Sequence, residues 1–158
     1  MDAQQVQAAF EDVFDQALVF HGFADFSRDY DLYVYIGAAP SIGVVAQDLR
    51  YRFTHCVSAV TTTSVSPEVW RRSLDDRLTQ PDGADVDELD GFVWGVRWQV
   101  LYPGLSVVAD SPEAAEWSER LGMDFFEVLV ETNTHTIRLI ATDLVVTALD
   151  AGHTPFAV

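Results

Sequence analysis

The chain has 158 residues, of which 25 are acidic and 9 are basic, so its formal net charge at pH 7 is −16. This charge argues against binding to nucleic acid or to an anionic membrane, because both depend on neutralising phosphates with lysine and arginine. All 9 basic residues are arginine. A GC-rich genome or a salt-adapted proteome would also favour arginine and aspartate, and either could account for part of the net charge without a binding role. The content of 49% hydrophobic and 12% aromatic residues predicts a folded chain.

A length of 158 residues predicts a single domain over residues 1–158. Cys56 is the only cysteine, which excludes an intrachain disulfide and fits a reducing compartment. The first residues lack the basic start and apolar run of a signal peptide. No stretch approaches the roughly 18 apolar residues of a membrane span. We therefore expect a soluble, cytoplasmic protein.

The first half of the chain predicts one helix followed by two strands. Apolar residues at helical spacing indicate a helix over about residues 3–21, with Gly22 as its C-terminal stop. Strands are predicted over residues 30–37 and 48–63. The second of these alternates apolar and polar residues, which is typical of a half-buried antiparallel strand.

Two further helices are predicted from the same capping sequence. Ser66-Pro67-Glu68 and Ser111-Pro112-Glu113 each offer an N-cap serine, a proline suited to the first turn and a glutamate near the positive end of the helix. Gly122 ends the later helix. The remaining strands are predicted over residues 92–102, 105–109, 125–132 and 136–147, with a turn at Pro103-Gly104 between the first two.

This order predicts a single α+β domain. We expect a mostly antiparallel sheet of five to six strands, with about three helices packed on one face. Residues 150–158 are expected to form an irregular tail.

Several motifs resemble those of one family. They are His21-Gly22-Phe23, Arg28-Asp29-Tyr30, Ser66-Pro67-Glu68-Val69-Trp70, Ser73-Leu74-Asp75-Asp76-Arg77, Val93-Trp94-Gly95-Val96-Arg97-Trp98, Tyr102-Pro103-Gly104 and Glu131-Thr132-Asn133. Over about residues 20–157 the chain resembles the YxiG-like domain, found as short stand-alone proteins in actinobacteria. The resemblance supplies no catalytic residue. Related genes in other bacteria lie near genes of polymorphic toxins and their immunity proteins, which implies an immunity-like or regulatory role.

His55 and Cys56 are the residues that most suggest a base and a nucleophile. They are neighbours in a predicted strand, so they point to opposite faces and cannot form a dyad with each other. Cys56 is expected to be a small buried hydrophobe. His55 shares a strand face with Tyr51 and Phe53, which predicts a hydrogen-bonded core residue. A pairing of the thiol with histidine would need one of the others: His21, His135 or His153.

Two pairs of carboxylates suggest an acid and a base. Asp29 and Asp31 lie at the start of the first predicted strand, and Glu127 and Glu131 share one face of a later strand. The alternative for Glu127 and Glu131 is cross-strand pairing with arginines that also point away from the core. Those arginines are Arg50, Arg52, Arg97 and Arg138. In that case the acidic residues without a paired arginine lie on the helices and on the loop over residues 82–90.

The sequence predicts no cofactor and no metal site. The four histidines are too far apart in sequence for typical zinc-ligand spacing. The acidic loop over residues 82–90 does not fit the EF-hand register, although a cation site of another kind stays open there. A glycine-rich phosphate loop and a Gly-x-Ser-x-Gly nucleophile motif are both absent.

We interpret the chain as a small acidic, non-enzymatic binding protein, immunity-like or regulatory, that engages a basic protein partner. The residues expected to bind that partner are Asp75, Asp76, Asp82, Asp85, Asp87, Glu88 and Asp90. The sequence leaves the oligomeric state open, a dimer included.

The alternative is a small-molecule-binding protein or enzyme with an aromatic-lined pocket between helix and sheet. The residues expected to line such a pocket are Phe53, Trp94, Trp98 and Tyr102. The same aromatic residues would also suit an ordinary core.

Overall fold

A computed structural model of the chain describes residues 1, 3–68, 99–150 and 153. Its helices are α1 (Ala3–Ala8) and α2 (Pro112–Leu121), with short 3-10 turns at Glu11–Val13 and Pro40–Ile42. Its strands are β1 (Ala17–Ala24), β2 (Asp29–Ile36), β3 (Gln47–Thr54), β4 (Ser58–Thr63), β5 (Gln99–Val108), β6 (Phe126–Thr132), β7 (His135–Ala141) and β8 (Asp143–Leu149).

The eight strands form one sheet in the order β4-β7-β6-β5-β1-β2-β3-β8, and every neighbouring pair is antiparallel. We call β1, β2, β3 and β8 the first half of the sheet, and β4, β5, β6 and β7 the second half. Within the described residues, β1 and β5 join the halves by a short pairing of Ala17 with Val100 and Leu18 with Gln99.

A bend in one long ladder also joins the two halves. Residues 55–57 separate β3 from β4, and Thr142 separates β7 from β8. Because β3 pairs with β8 and β4 pairs with β7, residues 47–63 and 135–149 form one antiparallel ladder that bends at these points. The backbone N–H of Thr142 donates to the carbonyl of Thr54 at 3.0 Å, and that of Val57 donates to Ile140 at 2.9 Å. The ladder therefore keeps its hydrogen bonds through the bend.

Alternate side chains of both halves meet in one core. Leu32 and Phe53 come from the first half, and Val128 and Leu139 come from the second half. Helix α1 adds Val6 to the same core. The ring of Phe10, just beyond α1, lies 6.2 Å from that of Tyr51 and 6.4 Å from that of Phe53 between centroids.

Helix α2 lies on the opposite face of the sheet, over β6 and β7. Its start and end follow the predicted capping chemistry. The hydroxyl of Ser111 accepts a hydrogen bond from the N–H of Ala114 at 3.2 Å, and Pro112 occupies the first turn. Gly122 adopts a φ of +64° and donates to the carbonyl of Ser118, which is the usual glycine stop of a helix.

The predicted α+β fold is wrong: over the described residues the structure is an eight-stranded antiparallel sheet with two short helices, which lie on different faces. The main error is the N-terminal helix, which ends at Ala8 instead of continuing to residue 21. Residues 17–24 form β1, which pairs with β2 along its length. Apolar residues at helical spacing also suit a strand, and long-range pairing decides between the two.

Two smaller differences concern strands. Pro103 and Gly104 do not form a turn between two strands. They lie inside β5, where the register with β6 shifts between Leu101 and Gly104. The strand predicted over residues 48–63 is present, but the bend divides it into β3 and β4.

Other predictions fall partly outside the described residues. The predicted helix start at Ser66 is confirmed as far as it is described, because residues 67–68 are helical. The loop over residues 82–90, the first part of the strand over 92–102 and most of the tail over 150–158 lie outside the described residues. In the described part of the chain, no helix is long and apolar enough to cross a membrane.

Candidate functional site

Asp31 forms the most enclosed ion pair on the outer face of the first half. It lies on β2 directly opposite Arg52 of β3, and its side chain is only 2% exposed. Arg52 donates from Nε to Oδ1 at 2.7 Å and from Nη2 to Oδ2 at 2.8 Å. Tyr33 donates a further hydrogen bond to Oδ2 at 3.3 Å, and Arg52 also pairs with Asp25 in the β1–β2 turn. This geometry makes Asp31 a structural partner of Arg52.

Asp29 has a separate arginine of its own. Arg28 donates from Nε and Nη2 to the two carboxylate oxygens at 3.0 and 3.2 Å. The backbone N–H of His55 donates to Oδ1 at 3.0 Å. The hydrogen bond from Arg28 is the main reason that the pKa of Asp29 lies below its usual value. Asp29 and Asp31 are therefore engaged in two ion pairs rather than in an acid/base pair.

Glu127 is the third buried carboxylate, and it lies beneath the start of α2. It is 2% exposed, although its position on β6 points away from the core. Arg138 of β7 donates to Oε1 at 2.7 Å, and the hydroxyl of Ser111 donates to Oε2. The predicted cross-strand pairing of Glu127 with Arg138 is thus confirmed. The hydroxyl of Ser111 connects the ion pair to the N-terminus of the helix.

A cluster of His21, Tyr30 and neighbouring side chains lies between the two halves. Nδ1 of His21 lies 2.7 Å from the hydroxyl oxygen of Tyr30, and their rings stack at 6.0 Å between centroids. Burial lowers the pKa of His21, and the nearby His135 of β7 lowers it further. Burial raises the pKa of Tyr30, while a hydrogen bond with Thr61 of β4 opposes that rise. The cluster therefore favours a neutral imidazole that accepts a hydrogen bond from a neutral phenol.

His55 and Cys56 lie in the bend and face different environments, as their adjacency predicts. Cys56 is 6% exposed and belongs to the core, which confirms the predicted buried thiol. Burial raises its pKa to about 11, which disfavours the reactive thiolate. The prediction of a core location for His55 is wrong. His55 is exposed at a φ of +48°, since β3 ends at Thr54, and Nδ1 lies 3.1 Å from the hydroxyl of Thr142.

A partly open apolar cavity of about 440 Å³ lies beside the end of α1. Its walls come from the residues that flank α1, from the end of β2, from β3 and β8, and from the segment before β3. The lining residues are Met1, Ala9, Ile36, Val44, Gln47, Leu49, Tyr51 and Val146. The Tyr51 hydroxyl at its edge donates to the carbonyl of Ala9 at 2.9 Å. The cavity suits an apolar ligand with few polar groups.

The predicted aromatic pocket is only partly described. Phe53 is fully buried in the core, and Tyr102 is 59% exposed with its ring 5.8 Å from that of Phe14. Neither residue lines the cavity beside α1. Trp94 and Trp98 lie outside the described residues, so the aromatic pocket stays a prediction.

A group of exposed carboxylates surrounds α2, and we call it the α2 acidic surface. Its members are Asp110, Glu113, Glu116, Glu119 and Asp124. Arg120 is the one basic residue on the helix, and it forms an ion pair with Glu116 one turn away. The acids that the sequence assigned to partner binding, from Asp75 to Asp90, all lie outside the described residues.

No group of three or more histidine, cysteine or acidic side chains in the described ranges is arranged to hold a metal ion. His135 lies near enough to His21 to lower the pKa of its imidazole.

The family model for YxiG-like proteins matches residues 2–158 of the chain. The chain belongs to the YxiG-like family. Neither the curated proteins nor the solved structures contain a match to it. The family assignment confirms the resemblance drawn from motifs such as Tyr102-Pro103-Gly104.

Sequence reasoning did not foresee that three carboxylates of this YxiG-like chain would be buried. The alternation of the predicted strand correctly places Glu127 on an outward position, and the structure places Asp31 on the outward side of β2 as well. Segments that are distant in sequence bury these side chains, as α2 does for Glu127. The Ser111 capping signal, sixteen positions before Glu127, was visible, but the contact between them depends on the fold.

Proposed function

We propose that this YxiG-like protein is a non-enzymatic binding module that engages a basic protein partner through the α2 acidic surface. The observation that carries the proposal is the distribution of charge. Arg28, Arg52 and Arg138 each pair with acids packed on the sheet. The carboxylates around α2 face solvent, with Arg120 as the one basic residue on the helix.

Such an arrangement speeds association with a basic surface, because complementary potentials steer the two proteins together. Leu121 and Met123, at the C-terminal end of α2, are 51% and 40% exposed. They offer apolar area beside the charges, which an interface needs because exposed ion pairs alone contribute little. An immunity-like or regulatory role in the cytoplasm, with a toxin-like basic protein as partner, is the form of this function that the resemblance favours.

The experiment is partner capture from cells at low and at high salt, followed by association kinetics with the recovered protein. The test variant combines Glu113→Gln, Glu119→Gln and Asp124→Asn. The control removes the same charge elsewhere, through Glu11→Gln, Asp15→Asn and Asp150→Asn. We expect the test variant to associate about tenfold more slowly at low salt, and the control to change much less. If both variants associate equally slowly, the α2 acidic surface is not the binding site. If no basic protein is recovered at either salt concentration, the proposed function is wrong.

The cavity beside α1 favours a second candidate function, the binding of a small apolar molecule. Its volume of about 440 Å³ lies within the roughly 300–1,000 Å³ of small-molecule sites. Titration with a neutral apolar dye should give saturable fluorescence. Leu49→Trp should abolish that signal by filling the cavity. Val145→Trp, on the exposed outer face of β8, should leave it intact. Equal binding by both variants would place the dye elsewhere.

A further inference from the structure

Arg50 differs from the other described arginines in having no acidic partner among the residues that the structure describes. It lies near the middle of β3, on the outer face of the first half. The ion pairs found between residues 1 and 68 and between 99 and 150 include Arg28, Arg52, Arg120 and Arg138, and none includes Arg50. Its Nε is buried and has no hydrogen-bond partner in the same part of the chain.

An unpaired buried donor is costly, so it needs a physical explanation. A guanidinium is a planar fork of donors that matches the two oxygens of a carboxylate. The neighbouring Arg52 already uses its fork on Asp31. Within the described residues Arg50 makes no such pair, although the chain carries a net charge of −16.

The neighbours of Arg50 supply further recognition groups. Tyr33 of β2 and Thr147 of β8 lie directly opposite it on the two adjacent strands. Side chains at such positions have Cβ atoms about 5 Å apart, so the Thr147 hydroxyl is placed to donate to the same ligand. The imidazole of His153 stacks on the ring of Tyr33 at 5.7 Å between centroids, with an interplanar angle of 11°.

We propose that Arg50, with Thr147 and the stacked rings of Tyr33 and His153, forms a binding site for a small carboxylate on the outer face of the first half. A single negative charge suits this site better than a doubly charged phosphate. Arg50 offers the ligand a single positive charge, and the net charge of −16 on the chain opposes a second negative charge there. The nearby Asp31 is already neutralised by Arg52.

The test observes Arg50 directly, through the ¹H–¹⁵N signal of its Nε in wild-type protein. Acetate, benzoate and inorganic phosphate are titrated at constant ionic strength. We expect saturable shifts with acetate and benzoate, and weaker binding of phosphate. Tighter binding of benzoate than of acetate would assign the extra affinity to the rings of Tyr33 and His153. Absence of a saturable shift with either carboxylate would overturn the proposal, and so would tighter binding of phosphate.

Variants then separate the site from general charge effects. Arg50→Gln should weaken carboxylate binding at least about tenfold. Arg50→Lys, which keeps the charge and loses the fork, should weaken it by a smaller factor. Arg120→Gln removes the same charge from α2, and this variant should bind carboxylates as tightly as wild type.

If Arg50→Gln binds acetate as tightly as wild type, the proposed site is wrong. If that variant does not fold, the wild-type titration and Arg50→Lys decide. This site and the α2 acidic surface lie on different halves, so each proposal can fail without the other.

Discussion

The hydroxyl oxygen of Tyr30 lies 2.7 Å from Nδ1 of His21, in a contact that joins β2 to β1 between the two halves of the sheet. His135 of β7 and Thr61 of β4 act on the same pair from the second half. Protonation of His21 would place a positive charge in this partly buried cluster. The protonation state of His21 thus affects the packing of the two halves of the sheet against each other.

Stability should therefore fall at acid pH. Burial, and then His135, lowers the folded-state pKa of His21. Between that lowered value and the unfolded value of about 6.5, the unfolded chain binds more protons. The contribution of His21 is complete above about pH 6.5 and is lost as the pH falls toward the folded-state pKa. Urea unfolding from pH 7.5 down to pH 5 measures this loss.

His21→Asn should flatten that pH dependence, and His55→Asn should not. Nδ1 of His55 bonds a hydroxyl at the exposed bend, and asparagine tolerates its positive φ. If His21→Asn loses stability with falling pH as steeply as wild type, His21 is not the responsible group.

The thiol of Cys56 should react very slowly in the native protein. It is 6% exposed, its pKa is raised to about 11, and it donates to the carbonyl of Ser58 at 3.2 Å. At pH 8 the reactive thiolate is therefore scarce. Labelling with a disulfide reagent should be at least about a hundredfold slower in buffer than in 8 M urea, because thiolate fraction and access both fall. Similar rates in the two conditions would contradict the buried placement.

The ion pair between Asp31 and Arg52 should show strong energetic coupling. Its carboxylate is 2% exposed and is bound through both oxygens. Removing one partner of such a pair leaves an uncompensated charge, so Asp31→Asn should cost about 3 kcal/mol of unfolding free energy. A double-mutant cycle with Arg52→Met should give a coupling of about 2 kcal/mol.

The exposed pair of Glu116 and Arg120 is the matched control for that cycle. It joins two residues one helical turn apart whose side chains are 57% and 59% exposed. Its coupling in a cycle of Glu116→Gln with Arg120→Met should stay below about 0.5 kcal/mol. Equal couplings for the two pairs would show that burial does not strengthen the Asp31 pair.

Ser111→Ala should destabilise the protein by about 1–3 kcal/mol in urea unfolding. The change removes the N-cap of α2 and also one of the hydrogen bonds to the buried Glu127. Ser41→Ala, at an exposed serine of the 3-10 turn before β3, should have little effect. A loss below about 0.5 kcal/mol for Ser111→Ala would mean that the cap does not stabilise the helix.

The sequence predicted those features that depend on local chemistry. The start of α2 at Ser111 and its end at Gly122 follow from capping, and the strand over residues 30–37 follows from its β-branched and aromatic residues. The segment over 17–24 was assigned to a helix because its local pattern suits either structure. Its pairing with β2 decides the outcome, and a contact of that kind is not encoded in local spacing.

Among the candidate sites, the direction of a side chain was predictable and its burial was not. The parity of Glu127 and Arg138 gave their outward direction and their pairing. The buried Asp31 and the unpaired Arg50 depend on which side chains of neighbouring strands come opposite them. The cavity beside α1 depends on segments that are distant in sequence, so no single motif could have indicated it.

The long bent ladder has a consequence for the order in which the protein can form. Asp48 pairs with Leu149, about a hundred positions later in the chain, and closing so long a loop is entropically costly and slow. During synthesis β3 is complete well before β8 exists, so one edge of β3 stays open for most of translation. Open strand edges invite pairing with other chains. The nascent protein therefore remains exposed to aggregation through this edge until β8 has left the ribosome.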